Sequence, residues 1–157
     1  MQSQVDLERL EAAALQAVAC EKNMGVPAEL TVAQWALESG WGAHQPGNNC
    51  FGIKAYPGCY GVQCLTTYEV VNGITRFVDR EFATFASLTD CFSKHATLIC
   101  EGKLYEQAWQ QYKASGNVLA LIQCIAPIYS TAPNYASLLM DILAMPEITS
   151  AIATARK

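Results

Sequence analysis

Two glutamates in this sequence stand where a carboxyl group could take part in acid–base chemistry. Glu38 is the only acidic residue between Glu29 and Glu69, and it lies in an apolar stretch with Trp35 and Trp41. Partial desolvation there would disfavour the ionised carboxylate and raise the pKa of Glu38, as a general acid working near neutral pH requires. Taken alone, however, a glutamate at a helix end is more often a solvated residue with no chemical role.

The second glutamate, Glu69, comes three residues before Asn72-Gly73, a dipeptide that favours a tight β-hairpin turn. Residues 64–71 are rich in β-forming types, and residues 74–85 are predicted to supply the return strand. Cleavage of a glycosidic bond needs two carboxyl groups facing one groove: one protonates the leaving oxygen, and the other acts as base, nucleophile or stabiliser of charge. From spacing alone this signal is weak, because a glutamate on a strand usually faces solvent.

The elements that must position these glutamates are predicted to be mostly helical. Apolar residues recur at helical spacing in six segments, and a short helix is predicted after Met145-Pro146. Five of the six predicted helices span residues 4–22, 87–100, 103–114, 117–127 and 135–143. The remaining helix, second in chain order, begins at Glu29 or Thr31 and ends at Glu38. Residues 40–64 are rich in glycine and proline and are predicted to form a loop. His95 lies on an apolar helix stripe and is interpreted as a core histidine rather than a catalytic group.

Composition bounds the class of protein. The chain has 157 residues, 52% hydrophobic and 15% charged, which predicts a single globular domain over residues 1–157 with a sizeable core. The net charge of -4 argues against nucleic acid as the main partner. No apolar run approaches the length of a membrane span, and the polar, acidic start of the given sequence predicts no secretory signal there. We expect no cofactor and a monomeric protein.

The seven cysteines are an odd number, so at least one is a free thiol or pairs between chains. Four of them lie within helical apolar patterns and are predicted to be buried as small hydrophobic residues: Cys20, Cys91, Cys100 and Cys124. Cys50, Cys59 and Cys64 cluster in the predicted loop region. Three interpretations stay open: free thiols, a small disulfide loop between Cys59 and Cys64, or a zinc site formed by all three with His44, although no Cys-x-x-Cys pair is present.

Aromatic and amide side chains near the two glutamates are suited to binding sugars. Flat aromatic faces can pack on sugar rings, and amide groups can hydrogen-bond to sugar hydroxyls. The candidates are Trp41, Asn48, Asn49, Tyr56, Tyr60, Tyr129 and Tyr135.

Four motifs then occur in order along the chain. They are Ala-Leu-Glu-Ser-Gly-Trp-Gly at residues 36–42 followed by Asn-Asn-Cys-Phe-Gly-Ile-Lys-Ala at 48–55, Thr-Thr-Tyr-Glu-Val-Val-Asn-Gly at 66–73, Glu-Phe-Ala-Thr-Phe-Ala-Ser at 81–87, and Tyr-Ser-Thr-Ala-Pro-Asn-Tyr-Ala at 129–136. Together they resemble the glucosaminidase domain of glycoside hydrolase family 73, which includes flagellar rod-cap muralytic domains, many bacterial autolysins and phage lysins. The resemblance covers roughly residues 5–145.

This resemblance implies an α+β, predominantly α-helical, lysozyme-like fold with two lobes and one β-hairpin flanking the substrate groove. It also implies a peptidoglycan hydrolase that cleaves the β-1,4 bond between N-acetylglucosamine and N-acetylmuramic acid in glycan strands. Carried over by position, Glu38 is the general acid, Glu69 the second carboxylate and Tyr135 a catalytic residue near the reacting N-acetyl group. Substrate contacts are predicted for Trp41, Asn48, Asn49, Phe51, Tyr129 and Asn134.

Two alternatives and two departures from the family pattern accompany this assignment. The alternatives are a lytic-transglycosylase-like or goose-lysozyme-like muramidase, which needs one catalytic glutamate, and a non-catalytic glycan-binding domain. Ala132 occupies a position where the pattern usually has aspartate, and Tyr68 one where many members have threonine. Peptidoglycan lies outside the cytoplasm, so we expect the protein to act in the periplasm or extracellularly, as a phage lysin, a delivered effector or an excised domain.

Overall fold

The computed structural model describes residues 4–157, so residues 1–3 of the predicted single domain lie outside the described range. Within this range the fold is mostly helical with one two-stranded sheet, which agrees with the predicted α+β class. The elements in chain order are α1 (Gln4–Met24), α2 (Ala28–Ser39), β1 (Gly61–Val71), β2 (Ile74–Thr84), α3 (Leu88–Glu101), α4 (Glu106–Ser115), α5 (Val118–Tyr129), α6 (Tyr135–Leu143) and α7 (Pro146–Ala155). Short 3-10 helices lie at Pro46–Asn48 and Lys103–Tyr105.

Helix α2 is the central helix, and it carries Glu38 near its end. Its residues are buried on almost every face, and it packs against α1, α3, α5, α6 and α7. A helix that is apolar all round must be enclosed in this way. It ends at Gly40, whose φ of 56° lies in the left-handed region that glycine adopts without steric cost, and whose N–H bonds to the carbonyl of Ala36. Glu38 therefore leaves the core at a fixed point, one residue before the end of α2.

Strands β1 and β2 form the predicted hairpin. They pair in an antiparallel register from Gly61 with Thr84 to Val71 with Ile74, so the hairpin begins three residues earlier than predicted. Asn72 and Gly73 at the tip both have positive φ, as a tight two-residue turn requires. Odd-numbered residues from 61 to 69 are half-buried and even-numbered ones are exposed, so Glu69 lies on the inner face of the hairpin.

The glycine-rich loop between α2 and β1 is fastened to the base of the hairpin. The N–H of Ala83 donates to the carbonyl of Ile53 over 3.0 Å, and the N–H of Phe85 donates to the carbonyl of Gly47 over 2.8 Å. The buried amide of Asn49 joins the same two segments, because its Nδ2 donates to the carbonyls of Ile53 (2.8 Å) and Ala83 (2.9 Å). The predicted loop is therefore irregular in backbone but tied to both neighbours.

Most predicted helix boundaries are confirmed, and their caps are visible. Ser87 accepts a hydrogen bond from the N–H of Asp90 at the start of α3, and Asn117 accepts one from the N–H of Ala120 at the start of α5. The prediction that α5 ends at Pro127 is wrong, since the helix continues to Tyr129. A proline in the last turn removes one backbone donor but leaves the preceding turns intact.

The core is continuous and draws on all seven helices together with the loop before β1 and the end of β2. His95 is fully buried in it, as predicted. No single helix within residues 4–157 is long and apolar enough to cross a membrane, and α6 with α7 meets those criteria only as a pair bent by 70°.

Candidate active site

A groove of about 370 Å³ lies between the end of α2 and the inner face of the hairpin. Glu38 lies on the helical side of this groove and Glu69 on the hairpin side. The structure thus brings the two glutamates that the sequence singled out into one cavity. Cationic and polar side chains line the space between them, among them His44, Lys54, Gln63 and Thr67.

The side chain of Glu38 is exposed to the groove, while the protein atoms around its carboxyl group limit the hydration of that group. Burial raises the pKa of Glu38 above the ordinary value of 4.5, and a hydrogen bond from the hydroxyl of Tyr135 acts in the opposite, smaller direction. That hydroxyl donates to Oε1 of Glu38 over 2.8 Å. The arrangement favours a protonated Glu38 over a wider pH range than an ordinary glutamate has.

Gly52 passes close to the other oxygen of this carboxyl. A Cβ at this position would lie 3.2 Å from Oε2 of Glu38, and the residue has a φ of +64°. Both facts favour glycine, because a side chain would crowd the carboxyl and would be strained by the left-handed backbone. The segment of residues 48–55 in the first motif therefore shapes the space around Oε2.

Tyr129 and Tyr135 form a buried pair behind Glu38. Their rings stack with centroids 5.9 Å apart and planes inclined by 7°. The hydroxyl of Tyr129 donates to the carbonyl of Phe51 over 2.6 Å, which joins the end of α5 to the loop under the groove. Burial raises the pKa of both tyrosines well above the ordinary value, so both hydroxyls are neutral hydrogen-bond donors in the working pH range.

Two further buried side chains continue inward from Tyr135, and sequence reasoning did not connect them with the site. Nε2 of Gln34 donates to the Tyr135 hydroxyl over 3.1 Å, and Oε1 of Gln34 lies 2.7 Å from Nε2 of His95. Burial lowers the pKa of His95 to about 3, so the ring is neutral. Gln34 precedes Glu38 by one helical turn, a spacing that places both on one face of α2, but nothing in the sequence indicates the contact with His95.

Glu69 is held by an arginine that sequence reasoning also missed. Nε and Nη2 of Arg80 donate to Oε1 and Oε2 of Glu69 over 3.1 and 3.2 Å, and Nζ of Lys54 lies 4.0 Å from Oε1. The hydrogen bond and charge of Arg80 lower the pKa of Glu69 below 4.5, with a smaller effect of Lys54 in the same direction. The hairpin register could have indicated this pair, because Arg80 and Arg76 share the face on which Glu69 lies.

The tip half of the hairpin reaches across the groove. The N–H of Val70 donates to Oγ1 of Thr131 over 3.2 Å, and Thr131 lies in the turn between α5 and α6. This bond joins the two walls of the groove and is exposed to water.

Comparison with known proteins gives these residues a family. The family model described as Glucosaminidase, mannosyl-glycoprotein endo-beta-N-acetylglucosaminidase, matches residues 14–147. The chain belongs to this family, glycoside hydrolase family 73. The resemblance that the four motifs indicated is therefore confirmed, and the match extends over most of the chain.

Individual relatives of this glucosaminidase-family chain include a peptidoglycan hydrolase and a probable N-acetylmuramidase by name. It is 33% identical over 141 residues to the peptidoglycan hydrolase FlgJ of Salmonella typhimurium, covering 82% of this chain and 44% of that protein. It is 29% identical over 150 residues to a probable N-acetylmuramidase of Lactococcus lactis, covering 89% of this chain and 33% of that protein. The chain thus spans less than half the length of these curated relatives.

A crystal structure of a peptidoglycan hydrolase mutant from Sphingomonas sp. A1 superposes with a TM-score of 0.79 at 28% identity, covering 94% of this chain and 99% of that one. This similarity confirms the predicted lysozyme-like fold class, with the hairpin beside the groove.

The predicted substrate contact of Phe51 is wrong for its side chain. Phe51 has an exposed fraction of 0% and packs on Phe92 and His95, with ring centroids 4.9 and 4.1 Å away. Asn49 borders the groove, but it is buried and its amide is already used in the loop. The amide of Asn49 is fully hydrogen-bonded and the ring of Phe51 is buried, so neither side chain has a free surface for a sugar. In this glucosaminidase-family chain both residues instead support the floor of the groove.

Three other predicted contacts lie outside the lining of this groove. Trp41 packs edge-on against Trp35 with centroids 6.3 Å apart, and Nδ2 of Asn48 donates to the carbonyl of Phe85 over 3.0 Å. Asn134 is exposed at the start of α6. Their roles in binding stay predictions, whereas Tyr129 does line the groove.

The cysteines of the glucosaminidase-family chain are all thiols, so Cys59 and Cys64 are not joined. Within residues 4–157 no group of three or more His, Cys, Asp or Glu side chains is arranged to hold a metal ion. The structure therefore does not support a zinc site formed by Cys50, Cys59, Cys64 and His44. Cys20 and Cys91 are buried as predicted, but Cys124 is exposed and Cys100 only half-buried. The prediction failed for Cys124 because α5 turns Leu121, Ile122, Ile125 and Ala126 inward.

Proposed function

We propose that this protein is a peptidoglycan hydrolase that cleaves the β-1,4 bond between N-acetylglucosamine and N-acetylmuramic acid, with Glu38 as the general acid. The observation that carries the proposal is the pairing, in one groove, of a Glu38 whose pKa is raised by burial with a Glu69 whose pKa is lowered by Arg80. Two carboxyl groups held in opposite protonation states are what glycosidic cleavage uses.

The division of roles follows from these environments. Glu38 donates its proton to the glycosidic oxygen as the bond breaks. Glu69 stays ionised beside Arg80 and Lys54, and supplies the negative charge that stabilises the oxocarbenium-like transition state or activates water. Tyr135 contacts Glu38 directly and fixes the orientation of its carboxyl.

The names of similar proteins support the substrate. FlgJ of Salmonella typhimurium and the Sphingomonas structure are peptidoglycan hydrolases by name, and the family model is that of a mannosyl-glycoprotein endo-beta-N-acetylglucosaminidase. Since peptidoglycan lies outside the cytoplasm, the proposed place of action is the periplasm or the extracellular space.

Product analysis tests the proposal. Purified peptidoglycan is digested with the wild-type protein and with Glu38→Gln, and the released muropeptides are identified by mass spectrometry. We expect hydrated reducing-end N-acetylglucosamine from the wild type and none above background from the variant. Products ending in 1,6-anhydro-muramic acid would instead identify a lytic transglycosylase, and binding of glycan strands without any product would identify a glycan-binding domain.

A second bond specificity has one observation in its favour. The Lactococcus lactis relative is a probable N-acetylmuramidase by name, and it matches 89% of this chain. A muramidase would use the same two carboxyl groups on the neighbouring bond of the strand. It would release hydrated reducing-end N-acetylmuramic acid, which the same mass spectra distinguish.

A further inference from the structure

Four polar side chains form an unbroken hydrogen-bonded row from the groove into the core. The row runs from Glu38 through Tyr135 and Gln34 to His95, with donor–acceptor distances of 2.8, 3.1 and 2.7 Å. Three helices supply it: α2 carries Glu38 and Gln34, α6 carries Tyr135, and α3 carries His95. Gln34 and His95 have exposed fractions of 0% and Tyr135 of 4%, so water cannot replace the two inner bonds of the row.

The direction of every bond in the row is fixed by chemistry. The carbonyl oxygen of Gln34 has no hydrogen, so Nε2 of His95 must carry one and donate it. The amide nitrogen of Gln34 then donates to the Tyr135 oxygen, which leaves the single hydroxyl hydrogen of Tyr135 for Oε1 of Glu38. Since His95 is neutral, this tautomer leaves Nδ1 as a bare, buried acceptor, and Nδ1 indeed has no hydrogen-bond partner among the described residues.

We propose that Gln34 and His95 are positioning residues that hold the Tyr135 hydroxyl as a donor to Oε1 of Glu38, and so place the transferable proton on Oε2. A proton on Oε1 would face the hydroxyl hydrogen of Tyr135, and turning that hydroxyl would break its alignment with Gln34. Oε2 is the oxygen beside Gly52, where the backbone leaves room. The row thus selects which oxygen of the acid meets the substrate.

The unpartnered Nδ1 of His95 supports a role beyond packing. A buried polar atom without a partner destabilises a fold, and an apolar residue at position 95 would avoid that cost. The two buried polar residues instead complete one directed row that ends at a carboxyl group in the groove. This inference rests on the proposed function, because it concerns the proton that Glu38 is proposed to donate.

Kinetics of Gln34→Met test the positioning role. Methionine keeps the length of the side chain but removes both hydrogen bonds, and Thr31→Val on the same helix is the matched control, since Thr31 is equally buried and its Oγ1 has no partner in the described chain. We expect kcat on soluble glycan fragments to fall about 10-fold with KM changed less than about twofold, as loss of alignment predicts. Thr31→Val should leave both unchanged.

The pH profile separates positioning from a merely structural effect. The titratable groups that face Glu38 are Tyr129 and Tyr135 from α5 and α6, and His44, Lys54 and Glu69 from the groove walls. A hydroxyl of Tyr135 released from Gln34 stabilises ionised Glu38 less well, so the alkaline limb of kcat should move to higher pH in Gln34→Met. Adding Gln34→Met to Tyr135→Phe should cost nothing more, because the row is already cut.

An activity-independent reading comes from the nitrogen NMR signals of His95. We expect a neutral ring with hydrogen on Nε2 and none on Nδ1, whether or not the protein cleaves peptidoglycan. A hydrogen on Nδ1 would reverse the row and overturn the proposal. The proposal would also be overturned if the activity of Gln34→Met fell only as far as its loss of folded protein explains, while the alkaline limb of its kcat stayed at the wild-type pH. If wild-type protein cleaves nothing, the proposed function fails, while the tautomer still decides the direction of the row.

Discussion

The two walls of the groove hold their glutamates in opposite ways. Glu38 is fixed from behind by a buried row of hydrogen bonds on three packed helices, and burial raises its pKa. Glu69 lies on a two-stranded hairpin and forms a surface ion pair with Arg80, which lowers the pKa of Glu69. The same side chain thus becomes a proton donor on one wall and a stable anion on the other, because burial disfavours charge and an adjacent cation favours it.

The walls also differ in how firmly they are built. The helical wall belongs to a continuous core, whereas the outer face of the hairpin is open to solvent and carries exposed Tyr68 and Phe77. Beyond its base, the hairpin is joined to the opposite side of the groove by an exposed hydrogen bond between Val70 and Thr131. We therefore expect truncation of buried side chains on the helical side to destabilise the fold, and substitutions in the hairpin to affect mainly the pH range and local dynamics.

Replacing the acid on the helical wall should have the largest effect. Glu38→Gln keeps the side-chain shape but cannot donate a proton, so we expect the rate of cell-wall lysis to fall by about 10²–10⁴-fold. Thermal unfolding should stay at the wild-type temperature or rise, since a neutral amide is easier to bury there. Glu81→Gln, an exposed glutamate on β2, is the control and should lyse walls normally. Wild-type lysis by Glu38→Gln would show that Glu38 is not the acid.

The stability contrast between the walls can be measured with two phenylalanines. Phe51→Ala empties a fully buried site between Phe92 and His95 and should lower the free energy of unfolding by about 3–5 kcal/mol. Phe77→Ala removes an exposed ring that packs edge-on against its cross-strand neighbour Tyr68 and should cost less than about 1 kcal/mol. Urea titration measures both, and similar losses would contradict the difference between the walls.

The pH range should depend on the arginine of the hairpin. Arg80 lowers the pKa of Glu69, so Arg80→Gln lets that pKa rise towards 4.5 and Glu69 becomes protonated at a higher pH. Activity in Arg80→Gln should therefore be lost earlier as the pH falls, with a smaller loss near neutral pH. Arg76→Gln is the matched control, because it removes the same charge from the residue opposite Glu69 in the register. An acid limb that moves equally in both variants would mean that general charge, not the Arg80 pair, sets it.

The smallest effect is expected at the contact between the hairpin and the opposite wall. Thr131→Val removes the acceptor of the Val70 N–H, and hydrogen exchange of that amide should speed up by at most about 10-fold. The unfolding temperature should stay within measurement error. Thr75→Val, on the outer face of β2, should leave the Val70 amide unchanged. Exchange that is equally slow in Thr131→Val would show that the bond does not hold the hairpin.

Local chemistry made much of this architecture predictable. Asn72-Gly73 specifies the hairpin turn, Ser87 and Asn117 specify helix starts, and the family pattern predicts that Glu38 and Glu69 share one groove. Those features depend on residues close together in sequence or on a family pattern of known order. That residues 1–157 form one monomeric domain stays a prediction.

Contacts between distant segments could not be predicted. His95 and Gln34 are 61 residues apart, and a histidine on an apolar stripe gives no sign of its partner. Phe51 lies in a motif beside the site, yet its ring turns into the core because the loop is pinned by Asn49. Residue type indicated chemistry at these positions, but only packing decides which side of a loop faces the groove.

The central claim is that the protein separates the pKa values of its two glutamates, raising that of Glu38 and lowering that of Glu69. Carbon-13 NMR titration of the side-chain carboxyl groups, assigned with Glu38→Gln and Glu69→Gln, measures both pKa values in one sample. The account predicts a midpoint above 4.5 for Glu38 and one below 4.5 for Glu69. Equal midpoints, or the reverse order, would contradict it.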